Sequence, residues 1–358
     1  FMKPDNRYVP FLDGFRGYAI LLVIIGHLYR DLIRVSLLGV TLFFFVSGFL
    51  ITKLLIVEYR KRNTILLKEF YLRRVFRLYP ALLFFLLVTC SFILLSGQRI
   101  LLPDIMSGLF YFTNYYLVYF KPVLQSADYP LVSEILWSLS VEEHFYLFFP
   151  VLFLMLFSDS NDKLLSVLGV LLMLFLFSRC VEFFRSSNLS EVRKIIYYTT
   201  HNRGDSILYG CVSALLIYRY NARFYIRYLN SKWLFILSFL LLVLIEIVPS
   251  QLFQNTFKYS LQGIAFSIIV PSFLFGNSEK GVRKWLEGNA IVFIGKLSYS
   301  LYLFHWIAIK IIAFYVPQKG LFANLLIVVF SLGLALISYY GVERPFLSLR
   351  RKFGSHAK

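Results

Sequence analysis

Charge is scarce in this chain. Only 16% of its 358 residues are Asp, Glu, Lys or Arg, while 59% are hydrophobic and 19% aromatic. Soluble domains carry about a quarter charged residues, so this shortage excludes a soluble globular protein. Acidic groups are the rarer kind, nineteen against thirty-seven basic, and the net charge is +18. In a soluble chain that excess would suggest nucleic acid. In one this apolar it belongs to loops that flank membrane spans and set their orientation, and no nucleic-acid partner is expected. Three cysteines, Cys90, Cys180 and Cys211, lie in or beside apolar runs without paired spacing, which excludes a disulfide framework and argues against a metal site. Also lacking are a long polar stretch, an internal repeat, a Walker loop, a Rossmann glycine fingerprint, a His-x-x-x-His zinc pair and a Gly-x-Ser-x-Gly elbow.

Long apolar runs fill the chain instead. They predict one all-α polytopic membrane domain over residues 1–358, with a retained first span rather than a removed signal peptide and no soluble catalytic domain. The expected spans are 12–32, 37–56, 77–96, 138–157, 163–183, 204–220, 233–250, 257–276, 291–315 and 321–341. Segment 104–120 is long enough to be an eleventh, but Asn114 and its many tyrosines suit an interface or a partial insertion. Charge arbitrates. With ten spans and both termini cytoplasmic, most Lys and Arg fall on inside segments. An eleventh crossing would turn the basic loops after 219 and 280, and the C-terminal tail, outward.

The chemistry must then come from isolated polar groups that a membrane tolerates poorly. Arg16 and His27 are three helical turns apart, hence on one face and about 16 Å apart along the axis, and Asp13 sits one turn before Arg16. His27, near the outer end of its helix, reads either as a general base or as an imidazole satisfying a neighbouring helix. Arg74 and Arg77, with Arg73 near the side, form a pair at i, i+3 suited to phosphates, or else positive-inside anchors. Glu142 and Glu143 open a span about 100° apart, so only one is expected to face a given site; Ser138 shares a face with Glu142, and His144 adds a titratable group. His201, Arg203 and Asp205 cluster at another helix start, where Asp205 would cap the helix or pair with Arg203. Tyr302 and His305 lie inside a late span, with a core hydrogen-bonding role as open as a catalytic one.

Seven pieces in order give these residues a common context: LDGFRGYAILLVIIGH (12–27), LFFFVSGFLIT (42–52), FYLRRVFRLYPAL (70–82), WSLSVEEHFYLFFP (137–150), HNRGDSILYG (201–210), IGKLSYSLYLFHW (294–306) and VERPF (342–346). The chain thereby resembles acyltransferase family 3, integral membrane proteins that O-acylate surface polysaccharides. The resemblance implies a ten-helix fold, an acyl-coenzyme A donor, usually acetyl-CoA, entering from the cytoplasm as co-substrate, and an acceptor hydroxyl on the other side. It also implies roles for Arg16, His27, Arg74 and Arg77. Relatives commonly carry Gln where this chain has His144. Some continue into a soluble esterase-like domain, whereas this chain stops soon after VERPF, so the membrane domain is expected to complete the transfer.

The expected mechanism has Arg74 and Arg77 holding coenzyme A phosphates with Arg73 beside them, Arg16 organising Asp13 and the lower channel or itself touching the donor, and His27 deprotonating the acceptor with Glu142 or Glu143 orienting its imidazole or stabilising its cation. The acceptor would be a glycan or lipid-linked glycan, such as lipopolysaccharide O-antigen, at the bacterial inner membrane. A secondary transporter or flippase for a lipid-linked glycan would use the same buried charges, and a membrane sensor is a third reading.

Overall fold

The computed structural model describes residues 8–124, 131–158, 160–275, 280–316, 318 and 320–350, and every regular element among them is helical. The principal helices are α1 (Pro10–Leu28), α2 (Ile33–Arg62), α3 (Leu67–Leu95), α4 (Trp137–Leu156), α5 (Lys163–Arg185), α6 (Asp205–Tyr218), α7 (Lys232–Ile247), α8 (Lys258–Phe275), α9 (Asn289–Tyr315) and α10 (Leu321–Ile337). Among the described residues, eight helices are long and apolar enough to cross a membrane. A ninth is reached if α7 is joined to Arg223–Leu229, from which it is bent by 73°. The chain is therefore an all-α polytopic membrane protein. The expected span 204–220 is realised as α6, which at about 21 Å is shorter than a hydrocarbon core of about 30 Å.

Segment 104–120 does not form a continuous helix. It breaks into Leu102–Leu109, Thr113–Tyr115 and the π-helical Tyr116–Phe120, with Tyr111 at φ 55°. The cause is polar. Buried Asp104 accepts the backbone N–H of Val132 at 2.6 Å, and Asn114 donates to Thr200 Oγ1 at 2.9 Å, so the segment is tied to the protein interior at its start and its middle.

Small residues let the inner helices approach closely, the usual solution where lipid removes the hydrophobic drive between helices. A Cβ on Gly48 of α2 would lie 2.0 Å from the Ile207 carbonyl oxygen, and one on Gly210 of α6 would lie 2.1 Å from that of Phe45. These two motif glycines seat α6 on α2 from both sides. Gly295 of α9 does the same for α1, where a Cβ would be 1.8 Å from the Asp13 carbonyl oxygen. Gly295→Val therefore has to part α1 from α9. Such overpacking costs about 1–3 kcal/mol, so the variant is expected to melt several degrees lower and to yield less monodisperse protein. A melting curve in detergent superimposable on wild type would contradict this packing.

Candidate active site

Two cavities lie end to end along the bundle. The first is walled by Arg16 of α1, Ser47 and Leu50 of α2, Arg74 and Arg77 of α3, Ser138, Glu142, Glu143 and Tyr146 of α4, and Ser298 and Tyr302 of α9. The second takes His27 of α1, Arg34 and Leu37 of α2, Trp137 of α4, Lys258 of α8 and Trp306 of α9, together with Arg193, Lys194 and Tyr198. Four helices, α1, α2, α4 and α9, contribute to both; α4 enters at Trp137 and Ser138, and the other three pass from one chamber to the other along their length. Arg16 precedes His27, Leu37 precedes Val40, and Tyr302 precedes Trp306. A thin polar and aromatic partition separates the chambers. The Tyr302 hydroxyl donates to the Ile135 carbonyl at 3.2 Å, so Ser138 Oγ, 2.5 Å away, donates to Tyr302. Phe44, on the first chamber, meets Trp137, on the second, edge to face at 6.4 Å.

The first chamber is a mixed charge network. Arg74 Nη2 donates to Glu143 Oε1 at 2.6 Å and lies 3.8 Å from Glu142 Oε1, while its guanidinium carbon stacks 3.3 Å from the Tyr146 ring centroid. Ser47 Oγ donates to Glu142 Oε1 at 2.5 Å. Arg16 is 3.4 Å from Asp13, whose other oxygen takes the Tyr8 hydroxyl. Arg77 makes no ion pair among the described residues and is the cation here left open to an incoming anion.

His27 sits at the second chamber, paired with another histidine. Its Nδ1 is 3.1 Å from Nε2 of His305, and the rings stack at 5.2 Å. His305 is fully buried, and its own Nδ1 is 3.0 Å from the Leu301 carbonyl oxygen. A carbonyl only accepts, so His305 carries its proton on Nδ1. In the neutral pair, His305 Nε2 then accepts from His27 Nδ1–H, and the lone pair of His27 is left on Nε2. That is the tautomer a base needs, set by hydrogen bonding behind the ring.

A family profile described as an acyltransferase domain matches residues 9–342. The chain belongs to acyltransferase family 3. It is similar to the O-acetyltransferase OatA of Staphylococcus aureus (strain NCTC 8325 / PS 47), 31% identical over 98% of this chain and 60% of that protein. The OatA protein of strain COL matches with the same identity and coverage. The chain thus spans about 60% of the length of these relatives. No solved structure matches it.

In this acyltransferase-family chain several expected contacts are redrawn. Among the described residues no carboxylate touches His27; Glu142 and Glu143 line the other chamber, and the side chain against its Nδ1 is His305. Both glutamates, not one, face the same cavity, because Arg74 reaches across to bridge the 100° between them. Arg73 lines neither chamber. One position round the helix from Arg74, it pairs with buried Glu58 at 3.1 Å, and the other oxygen of that carboxylate holds the backbone N–H of Leu66. Asp205 pairs not with Arg203, two residues away and on the opposite face, but with Arg179 of α5 at 2.7 Å, both side chains fully buried. Arg203 stacks 3.7 Å from the Tyr259 ring centroid and donates to Thr41. His144 and His201 line neither chamber. They flank Tyr115, His144 bonding Thr200 Oγ1 at 2.8 Å and His201 the Tyr115 hydroxyl at 3.2 Å.

Sequence reasoning passed over Arg179, the Lys258–Glu246 pair at 2.6 Å and the rim residues Arg193 and Lys194. A lone arginine inside an apolar run was the available signal for Arg179, since an ionisable side chain there needs a partner. Which carboxylate it meets is a matter of helix packing alone.

Proposed function

We propose that the protein is a membrane-embedded O-acyltransferase that moves an acetyl or other short acyl group from cytoplasmic acyl-coenzyme A to a hydroxyl of a cell-surface polysaccharide, such as lipopolysaccharide O-antigen, at the bacterial inner membrane with both termini cytoplasmic. The observation that carries this reading is His27, its Nδ1 engaged by His305, on the second of two chambers divided at Tyr302 and Trp137. The donor enters the chamber of Arg16, Arg74 and Arg77, with Arg77 and Arg16 meeting its phosphates and the acyl end directed to the partition at Tyr302. The acceptor occupies the chamber of His27. His27 Nε2 takes the hydroxyl proton as the oxygen attacks the thioester carbonyl. The tetrahedral intermediate collapses, the carbon–sulfur bond breaks, and the imidazolium returns its proton to the leaving thiolate. Ester and free coenzyme A result.

The donor assignment has its own test. A charge-assisted hydrogen bond contributes about 1.5–3 kcal/mol, so Arg77→Ala is expected to raise the apparent KM for acetyl-CoA about tenfold or more with little change in kcat. An unchanged donor dependence would return Arg77 to membrane anchoring. If wild-type protein releases no coenzyme A with any envelope extract, transport of a lipid-linked glycan becomes the better reading of the same charges.

A further inference from the structure

The chamber of His27 has walls and a rim of different chemistry. Its walls are aromatic, with Trp137, Tyr198 and Trp306 among them, and Trp306 packs edge-on to His27 at 5.7 Å. Flat aromatic faces suit the C–H faces of a sugar ring. Its rim is cationic. Arg34, Arg193 and Lys194 are exposed and line the cavity. None of the three pairs with a carboxylate among the described residues: Arg34 donates to the Glu246 carbonyl, and Arg193 to the side-chain amide oxygen of Gln251. Lys258 is different, since Glu246 neutralises it at 2.6 Å. Among the described residues Glu134 is the one acidic side chain on the cavity wall.

Topology does not explain this rim. In the orientation that the basic excess favours, the α1–α2 and α5–α6 connections face outward, where Lys and Arg are ordinarily depleted. Cations held there, unpaired, beside the base call for a ligand of opposite sign. We propose that the acceptor is an anionic glycan, its negative group resting on Arg34, Arg193 and Lys194 while the sugar bearing the reactive hydroxyl packs on the aromatic wall beside His27. This rests on the acyl-transfer reading and names its substrate class. The anion is either a carboxylate on the glycan or the phosphate of a lipid carrier; the chemistry at the rim is the same.

The test uses the full chain in liposomes with radiolabelled acetyl-CoA. Envelope glycan from the producing cells is separated by anion exchange into retained and unretained fractions. Label is expected in the retained fraction. Carbodiimide–borohydride reduction of that fraction removes labelling if the anion is a carboxylate, and mild acid cleavage of the lipid phosphate removes it if the anion is the carrier's. Arg193→Gln combined with Lys194→Gln is expected to lower acceptor kcat/KM about tenfold and flatten its salt dependence, with the KM for acetyl-CoA unchanged. Equal labelling of the unretained fraction, or an unchanged acceptor efficiency in the double variant, would overturn the proposal. No label in any fraction with wild-type protein would instead overturn acyl transfer itself, and the inference with it.

Discussion

His27→Ala is expected to lose acyl transfer by about 10²–10⁴-fold, the range a positioned general base contributes, while remaining inserted and monodisperse. Its partner makes the prediction more specific. His305 touches neither donor nor acceptor in this arrangement; it acts through the hydrogen bond at 3.1 Å that holds the Nδ1 proton of His27. His305→Leu removes that acceptor, so His27 can rotate or take the other tautomer, and kcat is expected to fall by at least about tenfold with the donor KM unchanged. His305→Gln keeps a side-chain acceptor and should recover much of the loss. Steady-state kinetics on the three purified variants check this. Wild-type kcat in His27→Ala would remove the imidazole from the mechanism; equal losses in His305→Leu and His305→Gln would reduce His305 to a packing residue.

How far this site was legible in the sequence depends on the range of the interaction. Apolar run length marked the principal helices, because a bilayer demands a long apolar stretch of a helix that crosses it. Periodicity placed Arg16 and His27 on one face of α1, and they do line successive chambers. What one helix does to another was not legible. Nothing in the spacing of His27 and His305, 278 residues apart, announces their contact. Adjacent glutamates were read as diverging because helix geometry separates their Cβ atoms, yet a long arginine side chain from α3 gathers both. The same limit misassigned Asp205, whose nearest cation in sequence is on the wrong face and whose partner comes from α5.

That buried pair carries the other large prediction. Arg179 is fully enclosed and donates to Asp205 at 2.7 Å, to Ser260 Oγ at 2.6 Å, and to the carbonyls of Asn202 at 2.6 Å and Thr256 at 2.8 Å. One guanidinium thus ties α5 to the start of α6 and the start of α8. Arg179→Leu leaves the buried Asp205 carboxylate without its countercharge, held among the described residues only by the Ser206 and Ser260 hydroxyls, and takes the guanidinium donor from two carbonyls; breaking a buried pair from one side costs about 3–5 kcal/mol. The variant is expected to accumulate poorly and to aggregate on detergent extraction. Asp205→Asn, which keeps an acceptor for Arg179, should cost less. Arg179→Met with Asp205→Leu removes both charges and should recover much of the yield of the single variant, since the penalty belongs to the orphaned charge rather than to the missing attraction. Size-exclusion profiles and melting temperatures of the three proteins decide the point; a stable, monodisperse Arg179→Leu would show that α5, α6 and α8 are held by packing alone. Activity is expected to follow the fold here. Tyr259 of α8 walls the His27 chamber and supports Arg203 at 3.7 Å, so loosening the start of α8 moves that wall.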